Sequence, residues 1–112
     1  MNILFNFDLE EAVKFVKQNG WKISEVPFII GKECSPIGAY MIYKNLPYKE
    51  GTSIYANNCN AAIVAKALSV SEFCIDSFHM GFYGAYGFDK NRKVDNFGFK
   101  FGVEFRKEIE NV

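Results

Sequence analysis

The chain has 112 residues, of which 49% are hydrophobic and 23% charged, and its 13 basic and 13 acidic side chains leave no net charge. This composition is typical of a globular domain and excludes a disordered chain, and zero net charge gives no general attraction to nucleic acid or anionic membranes. Twelve Phe, six Tyr and one Trp are more rings than a small core readily encloses, so we expect some at a contact surface.

The first part of the chain predicts a helix followed by an extended segment. Residues 6–20 have apolar side chains at helical spacing, with Asp8 as the expected N-terminal cap and Gly20 as the stop. Residues 21–30 are rich in β-branched and aromatic side chains. Because Pro27 interrupts them, they predict at most a short edge strand.

The middle of the chain predicts a second helix and a long irregular connection. Ser35 followed by Pro36 is typical of a helix start, so a helix is expected over about residues 37–44. Residues 48–58 contain proline, glycine and paired asparagines, which favour a loop. The tip of this loop, near residues 49–51, is expected to be mobile.

Residues 61–83 predict two short helices that meet at a corner. Small and apolar side chains share one helical face up to a break at Ser69, and the same face resumes in a second helix from about Ser71. This pattern resembles the helix-turn-helix of phage-type repressors. The resemblance implies that five residues would face the major groove of DNA: Ser71, Glu72, Phe73, Asp76 and Ser77. The acidic members of this set would repel phosphates, so a purely structural helical corner is the competing interpretation.

A last amphipathic helix is predicted from Asn96 onward, with Asp95 as its cap. Apolar side chains recur along it every four residues: Phe97, Phe101, Phe105 and Ile109. Gly98 and Gly102 lie beside them and should let another backbone approach closely, and we expect that backbone to be the helix ending at Gly81. Four charged side chains are expected to face water: Glu104, Arg106, Lys107 and Glu108.

The three cysteines form no CxxC pair, which favours reduced thiols in the cytoplasm over a disulfide framework. The run Asn58-Cys59-Asn60 resembles the nucleophile stretch of permuted papain-like cysteine hydrolases, in which the cysteine begins a helix. The resemblance implies a hydrolase that uses Cys59. In that family the histidine precedes the cysteine, whereas His79, the only histidine here, follows it. The competing interpretation is a buried structural cysteine with Asn58 or Asn60 as a helix cap.

Aromatic residues after the second corner helix predict a binding surface formed by Tyr83, Tyr86, Phe88 and Arg92. The rings alternate with glycines and are followed by a basic cluster, which suits a protein partner and would also suit a nucleic acid. The same surface would favour a homodimer.

These patterns predict a mainly α-helical fold for residues 1–112, a single domain built as a bundle of about five helices with a helix-turn-helix-like corner and at most a minor β element. The predicted function is that of a small non-enzymatic cytoplasmic protein that binds a macromolecular partner, as accessory or inhibitor proteins of phages and mobile elements do. No catalytic residues, metal, cofactor or membrane span are expected. The alternatives are a helix-turn-helix DNA-binding regulator and a cysteine hydrolase.

Overall fold

The protein is mainly helical in the computed structural model, which describes residues 3–84 and 93–110. That part of the chain forms five helices: α1 (Ile3–Gln18), α2 (Pro36–Tyr43), α3 (Ile54–Leu68), α4 (Glu72–Tyr83) and α5 (Asn96–Glu110). It also forms three two-residue strands: β1 (Lys22–Ile23), β2 (Ile29–Ile30) and β3 (Glu33–Cys34). The predicted mainly α fold with a minor β element is confirmed.

The contacts divide the chain into two compact units, Met1–Leu68 and Ser69–Val112. The predicted corner falls at this division, so its two helices, α3 and α4, belong to different units. The break between them is present, because Ser69 follows α3 with a φ of 58°. A serine in this left-handed region ends the helix as a glycine commonly does. The single-domain organisation stays a prediction.

The N-terminal unit is organised around α1 and α2. The buried side chains of α1 follow helical spacing and are Leu9, Ala12, Val13 and Val16. On α2, Ser35 is the N-cap, and its hydroxyl accepts a hydrogen bond from the Gly38 amide at 2.9 Å, as predicted. The predicted cap at Asp8 is wrong, because α1 begins at Ile3 and no helix-breaking residue precedes Asp8.

The small sheet lies between α1 and α2 in the chain and has the strand order β1-β3-β2. Strand β3 pairs with β1 in parallel and with β2 antiparallel. Pro27 lies between β1 and β2, which agrees with the prediction that it keeps this segment from forming a long strand.

The connection before α3 is held by hydrogen bonds. The buried Asn60 side chain accepts a bond from the Lys49 amide and donates one to the Lys49 carbonyl, both at 2.7 Å. The Gly51 amide donates to the Ile29 carbonyl at 3.2 Å. The backbone of the predicted loop tip, residues 49–51, is therefore hydrogen-bonded at Lys49 and at Gly51, and its mobility stays a prediction.

Helices α4 and α5 form the core of the C-terminal unit and run in the same direction. Three contacts follow one another along both helices: Cys74 with Gly98, Phe78 with Gly102, and Phe82 with Arg106. Ser71 caps the start of α4 by accepting from the Cys74 amide at 3.0 Å, and Gly84 ends it in the left-handed region.

Glycines let the backbones of α4 and α5 approach closely, as predicted. A Cβ atom on Gly102 would lie 2.2 Å from the Phe78 carbonyl oxygen, and one on Gly81 would lie 2.1 Å from that of Phe99. Both contacts are far shorter than van der Waals distance, so the packing requires glycine on each helix.

Phenylalanines fill the space between the two helices. Phe78 is fully buried, and its ring centroid lies 5.7–6.2 Å from those of Phe82, Phe101 and Phe105. Aromatic pairs at such distances add to the free energy of burial. Phe101 and Phe105 are therefore core residues, and only Phe97 among the periodic rings of α5 is exposed.

Arg106 does not face water as predicted. Its guanidinium donates to the Phe82 carbonyl at 2.7 Å and lies 5.7 Å from the Phe82 ring. A cation at this position satisfies a carbonyl at the C-terminal end of α4 and complements the helix dipole. Just before the start of α5, the backbone amide of Asp95 donates to the hydroxyl of Ser77, a buried residue of α4, at 2.8 Å.

Candidate binding surface

The structure describes only one member of the predicted binding surface. Tyr83 is the last residue of α4 and is half-buried, and its ring centroid lies 5.1 Å from that of Phe82 in an edge-on arrangement. Tyr86, Phe88 and Arg92 lie outside the described residues. This surface stays a prediction.

The start of α3 presents the most exposed large apolar side chains in the described part of the chain. Ile54 is 80% exposed and Tyr55 is 70% exposed. The other exposed rings keep less than half of their surface in water. These two adjacent side chains on the first helical turn make the start of α3 the leading candidate for a contact surface in the described part of the chain.

Tyr55 belongs to a continuous strip along α3, which we call the α3 face and define as Tyr55, Asn58, Cys59 and Ala62. Tyr55, Asn58 and Ala62 are exposed, and Cys59 is half-buried. They occupy successive turns on the side of the helix opposite the buried Val64. The sequence from Gly51 to Ala65 contains no charged residue, so the α3 face is exposed and uncharged.

Hydrogen bonds fix the first turns of α3 in place. The Ser53 hydroxyl accepts from the Ala56 amide at 3.0 Å, which caps the helix, and the side chain of Asn60 is tied to Lys49 one turn further on. A surface on such an element loses little conformational entropy when it binds.

A smaller aromatic cluster lies on the pair α1–α2. The ring centroids of Phe15 and Tyr43 are 5.4 Å apart, and the Lys44 ammonium lies 5.4 Å from the Tyr43 ring. These rings pack on each other and are less exposed than Tyr55, so the α3 face is the stronger candidate.

The resemblance to cysteine hydrolases implies that Cys59 begins a helix. The structure does not place Cys59 at a helix start. Because α3 begins at Ile54, Cys59 is the sixth residue of the helix and lies beyond its first turn. Asn58 and Asn60 are likewise inside the helix, so the prediction that either is its N-cap is wrong. The exposed amides of a helix terminus, which favour a thiolate, are not beside Cys59.

The other two thiols are buried. Burial raises the pKa of Cys34 to about 12, and burial together with a hydrogen bond to Asp95 and its charge raises the pKa of Cys74 to about 12. Thiols held protonated in this way are poor nucleophiles.

Thiol labelling of the native protein is therefore expected to modify Cys59 first. Cys34 and Cys74 should react orders of magnitude more slowly near pH 8, because they are buried and protonated. The check is a time course with a chromogenic disulfide reagent, followed by denaturant. One fast equivalent is expected before unfolding and three after it, whereas two or three fast equivalents in the native protein would contradict this burial.

His79 is partly buried on α4, with the rings of Phe78 and Tyr83 each 6.1 Å from its own. Burial disfavours the charged imidazolium and lowers the pKa of His79 to about 4. The imidazole is therefore neutral at physiological pH.

This lowered pKa predicts a pH-dependent stability. Between pH 6.5 and pH 4 the unfolded chain binds a proton at His79 that the folded chain does not, so stability falls as the pH falls through this window. The expected loss is roughly 1–3 kcal/mol, measured by urea unfolding at several pH values. His79→Gln should flatten this part of the profile. An unchanged slope in that variant would assign the loss to other groups.

The helix-turn-helix interpretation places the start of α4 in a DNA groove. Glu72, Phe73 and Asp76 are exposed, whereas Ser77 is buried and accepts a hydrogen bond from the amide of Asp95. Ser77 cannot reach a base, so its predicted place in the groove is wrong. The exposed side chains include two carboxylates and no cation, which is unfavourable chemistry for DNA.

Within residues 3–84 and 93–110, no group of three or more His, Cys, Asp or Glu side chains is arranged to hold a metal ion. No helix in the same part of the chain is both long and apolar enough to cross a bilayer.

Comparisons with protein-family models, curated proteins and solved structures each find no match. The residue pattern predicts a loop over residues 48–58 and so does not predict the α3 face, because α3 begins at Ile54. The sequence signal that marks this face is the uncharged run of residues 51–65.

Proposed function

We propose that this protein is a small non-enzymatic binding protein that recognises a protein partner through the α3 face and the adjoining Ile54. The observation that carries the proposal is the exposure of Ile54 and Tyr55 on a helix start fixed by Ser53 and Asn60.

The exposed side chains of this surface can serve as anchors of a larger contact. Complete burial of a large apolar side chain contributes about 1.5–3 kcal/mol, and Ile54 and Tyr55 have 80% and 70% of their surface available for burial. Tyrosine is also among the residues that most often dominate an interface. Two such anchors beside the small Ala62 suit a partner with a complementary apolar surface.

The charge pattern favours a protein over a nucleic acid at this surface. Binding to nucleic acid requires cations that neutralise phosphates, and residues 51–65 supply none. An uncharged surface requires no desolvation of ions when a protein covers it. An accessory or inhibitory role in the cytoplasm, as for small proteins of phages and mobile elements, would use a surface of this kind.

The test is site-specific photocrosslinking in the source cell. A benzoylphenylalanine replaces Tyr55 in one variant and Ala67, an exposed residue of α3 outside the α3 face, in the matched control. We expect a discrete protein adduct from position 55 that is absent from position 67 and is lost when Ile54→Ser is added. No adduct from position 55, or the same adducts from both positions, would overturn the proposal.

A further inference from the structure

We propose that the partner of the α3 face is a second copy of this chain, with the two α3 helices antiparallel and a two-fold axis passing between Asn58 and Cys59. This inference rests on the proposed function and names the partner of that surface.

The positions of the largest and smallest side chains on the α3 face lead to this arrangement. Tyr55 and Ala62 are seven residues apart, which is two helical turns, so both lie on the same strip of the helix. They are equally distant from the midpoint between Asn58 and Cys59. In a two-fold contact, each residue pair occurs twice. Tyr55 of each copy therefore meets the partner's Ala62, a large side chain against a small one, at both ends of the contact.

The parallel arrangement lacks this fit. It places Tyr55 opposite the partner's Tyr55 and Ala62 opposite the partner's Ala62, so the helices are held apart at one end and leave a gap at the other. Voids and overpacking are both costly in a protein contact. The antiparallel pair is therefore the one that the side-chain sizes favour.

The charges of the surface are also compatible with a copy of itself. A surface that binds its own copy brings each side chain near an identical set, and like charges at such a contact are unfavourable. The absence of any charged residue from Gly51 to Ala65 removes this repulsion. The first charged residue beyond the strip is Lys66, at the end of the contact.

Sedimentation velocity over a wide range of concentrations tests the dimer. Ala62→Glu should weaken dimerisation by about tenfold or more, because each copy then places a carboxylate against the ring of Tyr55. Ala67→Glu is the matched control, since it adds the same charge to another exposed alanine of α3 and should leave the dimer unchanged. The double variant Tyr55→Lys with Ala62→Glu should dimerise more tightly than Ala62→Glu alone, since each lysine would meet the partner's glutamate.

Oxidative crosslinking tests the register. Cys59 lies beside the proposed two-fold axis. The Cys59 side chains of the two copies therefore lie on the same side of the contact and face each other. Diamide, which is reduced as two thiols form one disulfide, should give a covalent dimer through Cys59 that Cys59→Ser abolishes. The buried Cys34 and Cys74 should not take part.

A wild-type chain that stays monomeric at every concentration, or a dimer that Ala62→Glu and Ala67→Glu affect equally, would overturn the inference. If position 55 then still crosslinks to a different protein, the proposed function stands while the self-association fails. If position 55 captures no protein, both fail.

Discussion

Replacing Gly102 by leucine is expected to destabilise the protein by about 3 kcal/mol or more. The first atom of the new side chain would lie 2.2 Å from the Phe78 carbonyl oxygen and 2.8 Å from the Phe82 nitrogen. Both are backbone atoms of α4 and cannot turn aside as the end of a flexible side chain can. Helices α4 and α5 would have to separate, and the contacts of Phe78 with Phe101 and Phe105 would be lost with that movement.

Urea unfolding followed by circular dichroism measures this loss. Lys100→Leu is the matched control, because it adds the same side chain to an exposed position of α5 two residues away. The smaller change Gly102→Ala separates the cost of the steric clash from the effect of helix propensity. Alanine has a helix propensity more favourable than that of glycine by about 1 kcal/mol, so a loss of stability in this variant would come from the clash. A Gly102→Leu protein as stable as the Lys100→Leu control would show that the two backbones are not in contact at this position.

The second large effect is expected for Asn60→Asp. Asn60 is completely buried, and its amide nitrogen donates to the Lys49 carbonyl. A carboxylate of the same shape cannot donate, so it would oppose the carbonyl oxygen and place an uncompensated charge in the interior. Each of these effects costs about 1–3 kcal/mol or more, so a loss of about 3 kcal/mol or more is expected near pH 7.

The pH dependence of this variant identifies the cause of the loss. The protonated carboxyl group regains a donor, and burial raises the pKa of a carboxyl group, so part of the stability should return as the pH is lowered. Ala67→Asp is the control, since it adds the same charge to an exposed position of the same helix outside the α3 face. Equal losses in the two variants at every pH would contradict the role of Asn60 in holding the loop.

The features that the sequence predicts correctly are those decided by local chemistry. Ser35 caps α2, as predicted, because a hydroxyl at that position reaches an amide one turn on. The close packing of α4 and α5 is predictable because Gly98 and Gly102 are one turn apart on the same side of a helix whose apolar spacing is strong.

The features that the sequence does not predict depend on contacts between residues that are far apart in the chain. Asparagine and serine favour loops and caps over helix interiors, so residues 54–58 fall within the predicted connection. What stabilises the helix there is the buried bond between Asn60 and the backbone eleven residues earlier. With the start of α3 misplaced, the exposure of Ile54 and Tyr55 cannot be foreseen. Arg106 is similar, because its partner is a carbonyl 24 residues away in the chain.

The common direction of α4 and α5 has a consequence for how the C-terminal unit acquires its structure. Each successive contact joins residues 24 positions apart, from Cys74–Gly98 to Phe82–Arg106, and none of them can form within either helix alone. A helix as short as α4 is marginal in water by itself. Its hydrogen-bonded turns therefore gain stability only together with those of α5, so the two helices are expected to form and melt as one cooperative step.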